Sequence, residues 1–219
     1  AASAYTIQGG TITATVAVGA TVTNFGGLIG SYGADAMENT LNTTGVVTVT
    51  ATNNGSAASY GGIIGSVGDN SYVEVEIEEL GTVTTNGNAG TNFGGLVGVL
   101  GDNSGAFLNI GDVSLGGVVT IPPGANAVGG LVGALNAGVV RLHGTTDLSR
   151  MTFTGAGGGT GQIVGKNTNG LVYAVGTGNT GDAGWLLKRP PIGRTASDIG
   201  NWGQVVRLDG ERLTEKNDN

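Results

Sequence analysis

The sequence predicts an all-β protein, and more specifically a β-solenoid (β-helix) of about five coils, with roughly 34 residues and three short strands per coil. Three observations predict it. Glycine supplies 45 of the 219 residues, and cysteine is absent. One glycine-bounded pentapeptide occurs five times at nearly constant intervals. The segments between its copies alternate apolar and polar residues with a period of two and lack helical periodicity.

The pentapeptide marks one position in each coil, and its copies occupy positions 26–30, 61–65, 94–98, 129–133 and 161–165. An aromatic or branched residue precedes the first four copies, and leucine or isoleucine holds the third position of every copy. We expect these columns to stack inside the solenoid as the repeat core: Phe25, Leu28, Tyr60, Ile63, Phe93, Leu96, Val128, Leu131 and Ile163. The bounding glycines would let the backbone turn sharply or approach the neighbouring coil closely.

Two further strand candidates lie between successive pentapeptides. In residues 72–78, three branched residues alternate with glutamates. In residues 45–50 and 80–85, a glycine or short turn leads into a run of valine and threonine. Turn-forming residues such as 68–70 separate the strands. A unit of this size cannot bury its own apolar face, so we expect each strand to pair with its equivalent one coil further on.

Charge is distributed unevenly along the chain. The part from Ala1 to Val140 contains nine acidic residues and neither lysine nor arginine, while the part from Arg141 onward contains nine basic and seven acidic residues. Phosphate would be repelled by such an acidic body, which argues against a nucleic-acid partner. No apolar run reaches the length of about 18 residues that a membrane-spanning helix needs.

The repeats end near residue 177, so we divide the chain into a repeat domain, 1–177, and a C-terminal tail, 178–219. The tail contains both tryptophans and six of the nine basic residues, and residues 205–213 have the pattern of a hairpin around 209–210. Two interpretations stay open: the tail caps the last coil, or it is an arm that docks on a neighbouring copy. In the second case its anchors would be Trp185, Arg189, Arg194, Trp202 and Arg207.

Motifs for cofactor chemistry are incomplete. Residues 176–181 match the glycine pattern of a dinucleotide site, but no helix can follow because Pro190 and Pro191 come too soon. His143 is the single histidine, and without cysteine it cannot build a zinc site. We therefore predict no enzyme activity and no bound cofactor. Calcium stays open, with oxygen ligands from Asp69, Asp102 and nearby asparagines.

Glu74, Glu76 and Glu78 share one strand face. Such a row is typical of a solvated acidic surface, although β-helical enzymes that cleave polysaccharides also use paired carboxylates. We interpret the row as solvated surface.

The repeated Gly-Gly-Leu-Val-Gly pattern resembles the GLUG motif of bacterial cell-surface and secreted proteins. The resemblance covers residues 25–170 and implies a β-solenoid repeat without catalytic residues. The fifth copy departs from the pattern at Thr160 and Gln162, which is typical of a terminal, capping coil. The start in a run of small residues suggests an exported chain, and the tripeptides at Asn42 and Asn54 match glycosylation acceptors.

The function that we predict is structural: a secreted protein, extracellular or at the cell surface, that assembles with copies of itself into a fibre, filament or coat. The first alternative is an adhesin or a module that binds surface glycans or a receptor. The second is a phage-type spike with glycan hydrolase activity.

Overall fold

A computed structural model of the chain describes residues 3–33, 39–53, 56–87, 92–101, 106–120, 127–142, 146–154, 159–161, 163–174, 185–186 and 205–207. Every regular element in these ranges is a β-strand. Since the described residues form no helix, none of them builds an apolar helix that could cross a membrane. The all-β class predicted from the sequence is confirmed for this part of the chain.

The strands are short in the pentapeptide regions and long elsewhere. In chain order they are β1 (Ser3–Val16), β2 (Thr21–Gly26), β3 (Ile29–Tyr32), β4 (Asn39–Asn53), β5 (Ser56–Gly61), β6 (Ile64–Val67), β7 (Tyr72–Gly87), β8 (Asn92–Gly94), β9 (Val97–Leu100), β10 (Ala106–Thr120), β11 (Ala127–Gly129), β12 (Val132–Leu142), β13 (Thr146–Thr154), β14 (Gly159–Gly161), β15 (Val164–Ala174), β16 (Trp185–Leu186) and β17 (Val205–Arg207).

The strands form two sheets, and every pairing between described strands is parallel. The larger sheet has 12 strands and includes the path β1-β4-β7-β10-β12-β9-β6-β3, while the smaller has the order β14-β11-β8-β5-β2. Along the chain, each strand pairs with a strand about one repeat away. Val75, for example, lies beside Leu41 in one direction and Ile110 in the other.

Each of the first three repeats contains two short strands and one long one, where the sequence predicted three short strands. Residues 72–78 and 80–85 both belong to the continuous strand β7. Glycines interpreted as turns instead produce irregularities within a strand: the register between β4 and β7 shifts between Thr43 and Val46, around Gly45, whose φ is 77°. A bulge of this kind bends a strand without ending it. The turn predicted at 68–70 is present, with Asn70 at a φ of 54°.

The pentapeptide forms the corner between a strand of the smaller sheet and a strand of the larger one. Its first and last glycines lack space for a side chain, except at Gly30 in the first corner, where the nearest atom to a Cβ would be 3.6 Å away. A Cβ on Gly94 would lie 2.6 Å from the backbone nitrogen of Gly133, the last glycine of the next corner. The same pairing recurs between Gly61 and Gly98, at 2.8 Å. Close approach of neighbouring backbones therefore requires glycine here. This is the role expected from the sequence, namely that glycine lets the backbone approach the neighbouring coil.

The main core cluster contains the repeated columns, and a small second cluster consists of Val99, Ala127 and Ala134. Seven of the nine residues assigned to the repeat core are at most 1% exposed: Tyr60, Ile63, Phe93, Leu96, Val128, Leu131 and Ile163. Phe25 and Leu28, from the first corner, are only partly buried and pack against the main cluster. The aromatic rings stack, with centroids 4.9 Å apart for Phe25 and Tyr60 and 5.3 Å apart for Tyr60 and Phe93.

Tyr60 introduces a polar atom into this apolar column. Its hydroxyl is buried and has no hydrogen-bond partner among the described residues, and burial raises the pKa of Tyr60 well above its ordinary value. An unpaired buried hydroxyl destabilises a core, because the group loses its bonds to water without replacement.

Candidate assembly surface

The first three strands of the chain lie at the edges of the two sheets. We define the N-terminal edge as β1, β2 and β3, which span 14, 6 and 4 residues. Among the described strands, each has a neighbour on one side only: β4, β5 and β6 respectively. No charged residue and no proline occurs between Ser3 and Gly33. Charges and proline are the usual means by which proteins prevent edge strands from pairing with other chains, so this edge is unprotected.

Apolar residues at the N-terminal edge are incompletely covered. Phe25, Leu28, Ile29 and Tyr32 are all partly exposed. Their equivalents in the second repeat are at most 1% exposed: Tyr60, Ile63, Ile64 and Val67. The difference arises because the second repeat is covered on both sides, whereas the first is covered on one.

Backbone hydrogen bonds between corners leave unpaired groups at this edge. The nitrogens of Leu28 and Ile29 both donate to the carbonyl of Ile63, at 3.0 Å each. Ile63 and Ile64 donate in the same way to Leu96, at 3.1 and 2.9 Å. The corresponding carbonyl of the first corner, on Leu28, accepts no hydrogen bond from the described residues.

The opposite end differs, because strands from the tail lie on it. β16 pairs with β13 at Thr146 and Asp147, and β17 pairs with β15 from Val172 to Ala174. Ile163 and Val164, in the fifth corner, are fully buried although they belong to the last repeat. The two ends of the repeat region are therefore unequal: the C-terminal end is covered and the N-terminal end is open.

The predicted anchors of self-assembly fall partly on this covered end. Trp185 begins β16 and Arg207 ends β17. Arg189, Arg194 and Trp202 lie outside the described residues. Sequence reasoning left open whether the tail caps the last coil, and it indicated no strand at 185–186, because such a short strand carries no periodic signal of its own.

A ladder of polar side chains crosses the larger sheet. Thr40, Glu74, Asn109 and Arg141 are register partners on successive strands. The Thr40 hydroxyl donates to Glu74 at 3.4 Å, the Asn109 amide donates to Glu74 at 2.7 Å, and Arg141 donates to the amide oxygen of Asn109 at 3.3 Å. The Glu74 carboxylate is thus held by an amide and a hydroxyl.

The other chemistry-bearing residues singled out in the sequence are dispersed. Glu76 and Glu78 lie in β7 with Glu74, and Asp69 lies in the turn before β7. His143 and Asp102 lie outside the described ranges. Within those ranges, no group of three or more histidine, aspartate or glutamate side chains could hold a metal ion.

A second aromatic pair accompanies the ladder. Tyr72 and Phe107 stack with centroids 5.0 Å apart and ring planes 6° apart. Each ring thereby covers one face of the other.

Comparison of the chain with protein-family models, curated proteins and solved structures finds no match in any of the three. The resemblance to GLUG repeats therefore rests on the pentapeptide and its spacing.

Proposed function

We propose that this chain is a secreted structural protein that assembles with copies of itself into an extracellular fibre, filament or surface coat. In this proposal residues 1–177 form a β-solenoid of about five coils, and residues 178–219 form a tail with a separate role. The parallel pairing of strands one repeat apart supports the solenoid, and the resemblance to GLUG repeats supports a location outside the cell.

One observation carries the proposal, namely the unprotected N-terminal edge. Among the described residues, it offers three edge strands in register, with partly exposed apolar side chains and a carbonyl at Leu28 that accepts no hydrogen bond. Such an edge is a template for the addition of a strand from another chain. The protein has a net charge of −7, yet the edge itself is uncharged, so like-charge repulsion between copies is weakest there.

A binding or catalytic role draws less support from the described residues. Glu74 is already engaged by Thr40 and Asn109, which suits a structural ladder better than a catalytic carboxylate. Sugars bind proteins by stacking on open aromatic faces, and Tyr72 and Phe107 each use one face against the other. The proposal accordingly assigns no enzyme activity and no cofactor.

Self-association of the full chain is the direct test. We expect light scattering to rise above a threshold protein concentration and negative-stain electron microscopy to show regular assemblies. Phe25→Asp places a charge at the open end of the aromatic column and should suppress assembly. Ala58→Asp is the matched control: it adds the same charge on an exposed position of β5, a strand paired on both sides.

Circular dichroism serves as the folding control, and we expect both variants to keep the β-structure of the parent chain. Thr23→Pro, at an exposed position of β2, provides a second block because proline removes a backbone donor from the edge. The proposal is overturned if the unaltered chain stays monomeric at millimolar concentration, or if Phe25→Asp and Thr23→Pro assemble as readily as Ala58→Asp.

A further inference from the structure

The backbone hydrogen bonds that join the turns of successive corners run in one direction along the repeats. Each corner donates through backbone nitrogens to the carbonyl of the corner that follows it in the chain, as Leu96 and Val97 donate to Leu131 at 3.0 and 2.9 Å. Leu131 and Val132 donate in turn to Ile163, at 3.1 and 2.9 Å.

This polarity makes the two ends chemically complementary. The first corner presents an acceptor, the carbonyl of Leu28. The fifth corner contains the donors of the series, the nitrogens of Ile163 and Val164, for which the described residues contain no acceptor. If the fifth corner of one copy lay against the first corner of another, the nitrogens of Ile163 and Val164 could donate to the carbonyl of Leu28. The pattern of hydrogen bonds between corners would then continue from one copy to the next.

The alternative arrangement, with two N-terminal edges face to face, lacks this complementarity. A two-fold axis would run the edge strands antiparallel and bring the carbonyl of Leu28 against its own copy, acceptor to acceptor. Only a parallel, polar arrangement lets β1, β2 and β3 meet the strands of another copy in the register that the repeats already use.

One tail strand, β17, lies where such a copy would dock. Among the described residues it contacts β15 through three register pairs, from Val172 to Ala174. In the register of the repeats, the N-terminal edge would reach the start of β15 with β3 and would reach β14 with β2. Another copy could therefore replace β17 and add pairing at β14 and at the start of β15.

We propose that copies join head to tail: the N-terminal edge of one copy pairs in parallel with β14 and β15 of another and displaces β17. The inference rests on the proposed self-assembly and adds its polarity and its partner surface. The tail then acts as a cap on the single chain that gives way on assembly. Because the contact is heterologous, each addition leaves a new end open, and the product is a filament.

Disulfide trapping tests the polarity, since the chain contains no cysteine. Register partners on successive strands form the column Ser31, Ser66, Val99, Ala134 and Lys166. Positions 31 and 166 are thus four strand steps apart in one chain, about 19 Å at the usual strand spacing. A disulfide cannot span that distance, because it requires Cα atoms within about 7 Å.

In the head-to-tail arrangement, Lys166 of one copy becomes the neighbour of Ser31 of the next. The double variant Ser31→Cys/Lys166→Cys should therefore form a ladder of cross-linked multimers on non-reducing gels, abolished by reductant. Ser31→Cys/Ser66→Cys is the matched control: these two hydroxyl oxygens lie 2.9 Å apart within one chain, so its disulfide should be internal and its band monomeric.

The outcomes separate the two proposals. Assemblies that form without the 31–166 cross-link overturn the polarity and leave self-assembly standing, whereas a chain that never assembles overturns both. Dimers trapped by Ser31→Cys alone would indicate edges meeting face to face, against the inference.

Val206→Pro tests the role of the tail. Val206 is the register partner of Tyr173, and the substitution removes a backbone donor from β17, so it should shorten the lag before assembly several-fold. If Val206→Pro instead abolishes assembly, the tail is a docking arm and its displacement is wrong.

Discussion

The glycines at the corners allow a quantitative test of the packing between repeats, and Gly94→Ala is the most informative change. A Cβ on Gly94 would overlap the carbonyl oxygen of Val97, in the same corner, and would lie 2.6 Å from the nitrogen of Gly133, in the next corner. All these neighbours are backbone atoms, so no side chain can swing aside. To bring the contact with Gly133 to an ordinary 3.4 Å, the two corners must separate by about 0.8 Å, and the overlap with Val97 adds a further cost.

That separation would break the hydrogen bonds between these corners. Gly95 donates to Gly129 at 3.2 Å, and Leu96 and Val97 donate to Leu131 at 3.0 and 2.9 Å. Lengthened by about 0.8 Å, all three exceed the usual limit for a hydrogen bond. At about 1 kcal/mol each, their loss lowers the free energy of unfolding by about 3 kcal/mol. For a chain of this size, the melting temperature should fall by about 6–12 °C.

Thermal unfolding below the assembly concentration, followed by circular dichroism, measures the effect. The control is Gly33→Ala, because a Cβ at Gly33 meets nothing within 4 Å. We expect this variant to match the parent chain or to gain slightly, through reduced freedom of the unfolded chain. If Gly94→Ala melts no lower than Gly33→Ala, then neighbouring repeats are not packed backbone to backbone at their corners.

Three other predictions concern Tyr60 and the polar ladder. Tyr60→Phe should raise the free energy of unfolding by about 1 kcal/mol in urea titrations, because it removes a buried hydroxyl without a partner among the described residues. Equal or lower stability of the variant would show that this hydroxyl is not a buried, unpaired group. Since burial raises the pKa of Tyr60, the folded chain keeps this proton after the unfolded chain has lost it. Stability should therefore fall as the pH rises above about 10, and Tyr60→Phe should reduce that dependence, which alkaline unfolding curves of the two proteins can check. Asn109→Asp replaces the amide that donates to Glu74 at 2.7 Å with a second carboxylate. It should lose about 1 kcal/mol of stability at neutral pH and recover at about pH 4, where carboxyl groups take up protons. The exposed Asn169→Asp should show neither effect; a similar loss in both variants would refute the ladder.

The corners could be predicted from sequence because their constraint is local and repeated. Where neighbouring backbones touch, only glycine fits, and the column beneath Tyr60 and Phe93 admits only residues that stack or pack. The same packing constraint in each repeat selects the same residue types at nearly equal intervals. That regularity predicts parallel pairing between strands one repeat apart.

The long strands and the polar ladder could not be predicted in the same way. Glycine is typical of turns, and Gly45 therefore indicated one. In the structure β4 is paired on both sides and continues through Gly45, where its register with β7 shifts. The ladder was hidden because its members stand at different offsets from the pentapeptide: the step from Gly61 to Glu74 is shorter than the step from Gly94 to Asn109. Turns of different length compensate for these different offsets in the folded chain, so the residues align in space although they do not align in the sequence repeats.

The unequal ends of the repeat region emerge only from burial. Leu28 and Ile163 occupy equivalent pentapeptide positions, yet the first is partly exposed and the second fully buried. Nothing in either residue type distinguishes them. The difference depends on which strands lie beside each corner, and this is why the sequence left the tail open as either a cap or an arm.

Fibre diffraction from oriented assemblies of the full chain tests the central claim most directly. If copies stack through their N-terminal edges, the strands lie across the filament and their spacing repeats along it. We then expect a meridional reflection at about 4.7–4.9 Å, the distance between paired strands. Assemblies without that axial reflection, or a chain that stays monomeric at every concentration, would contradict the account.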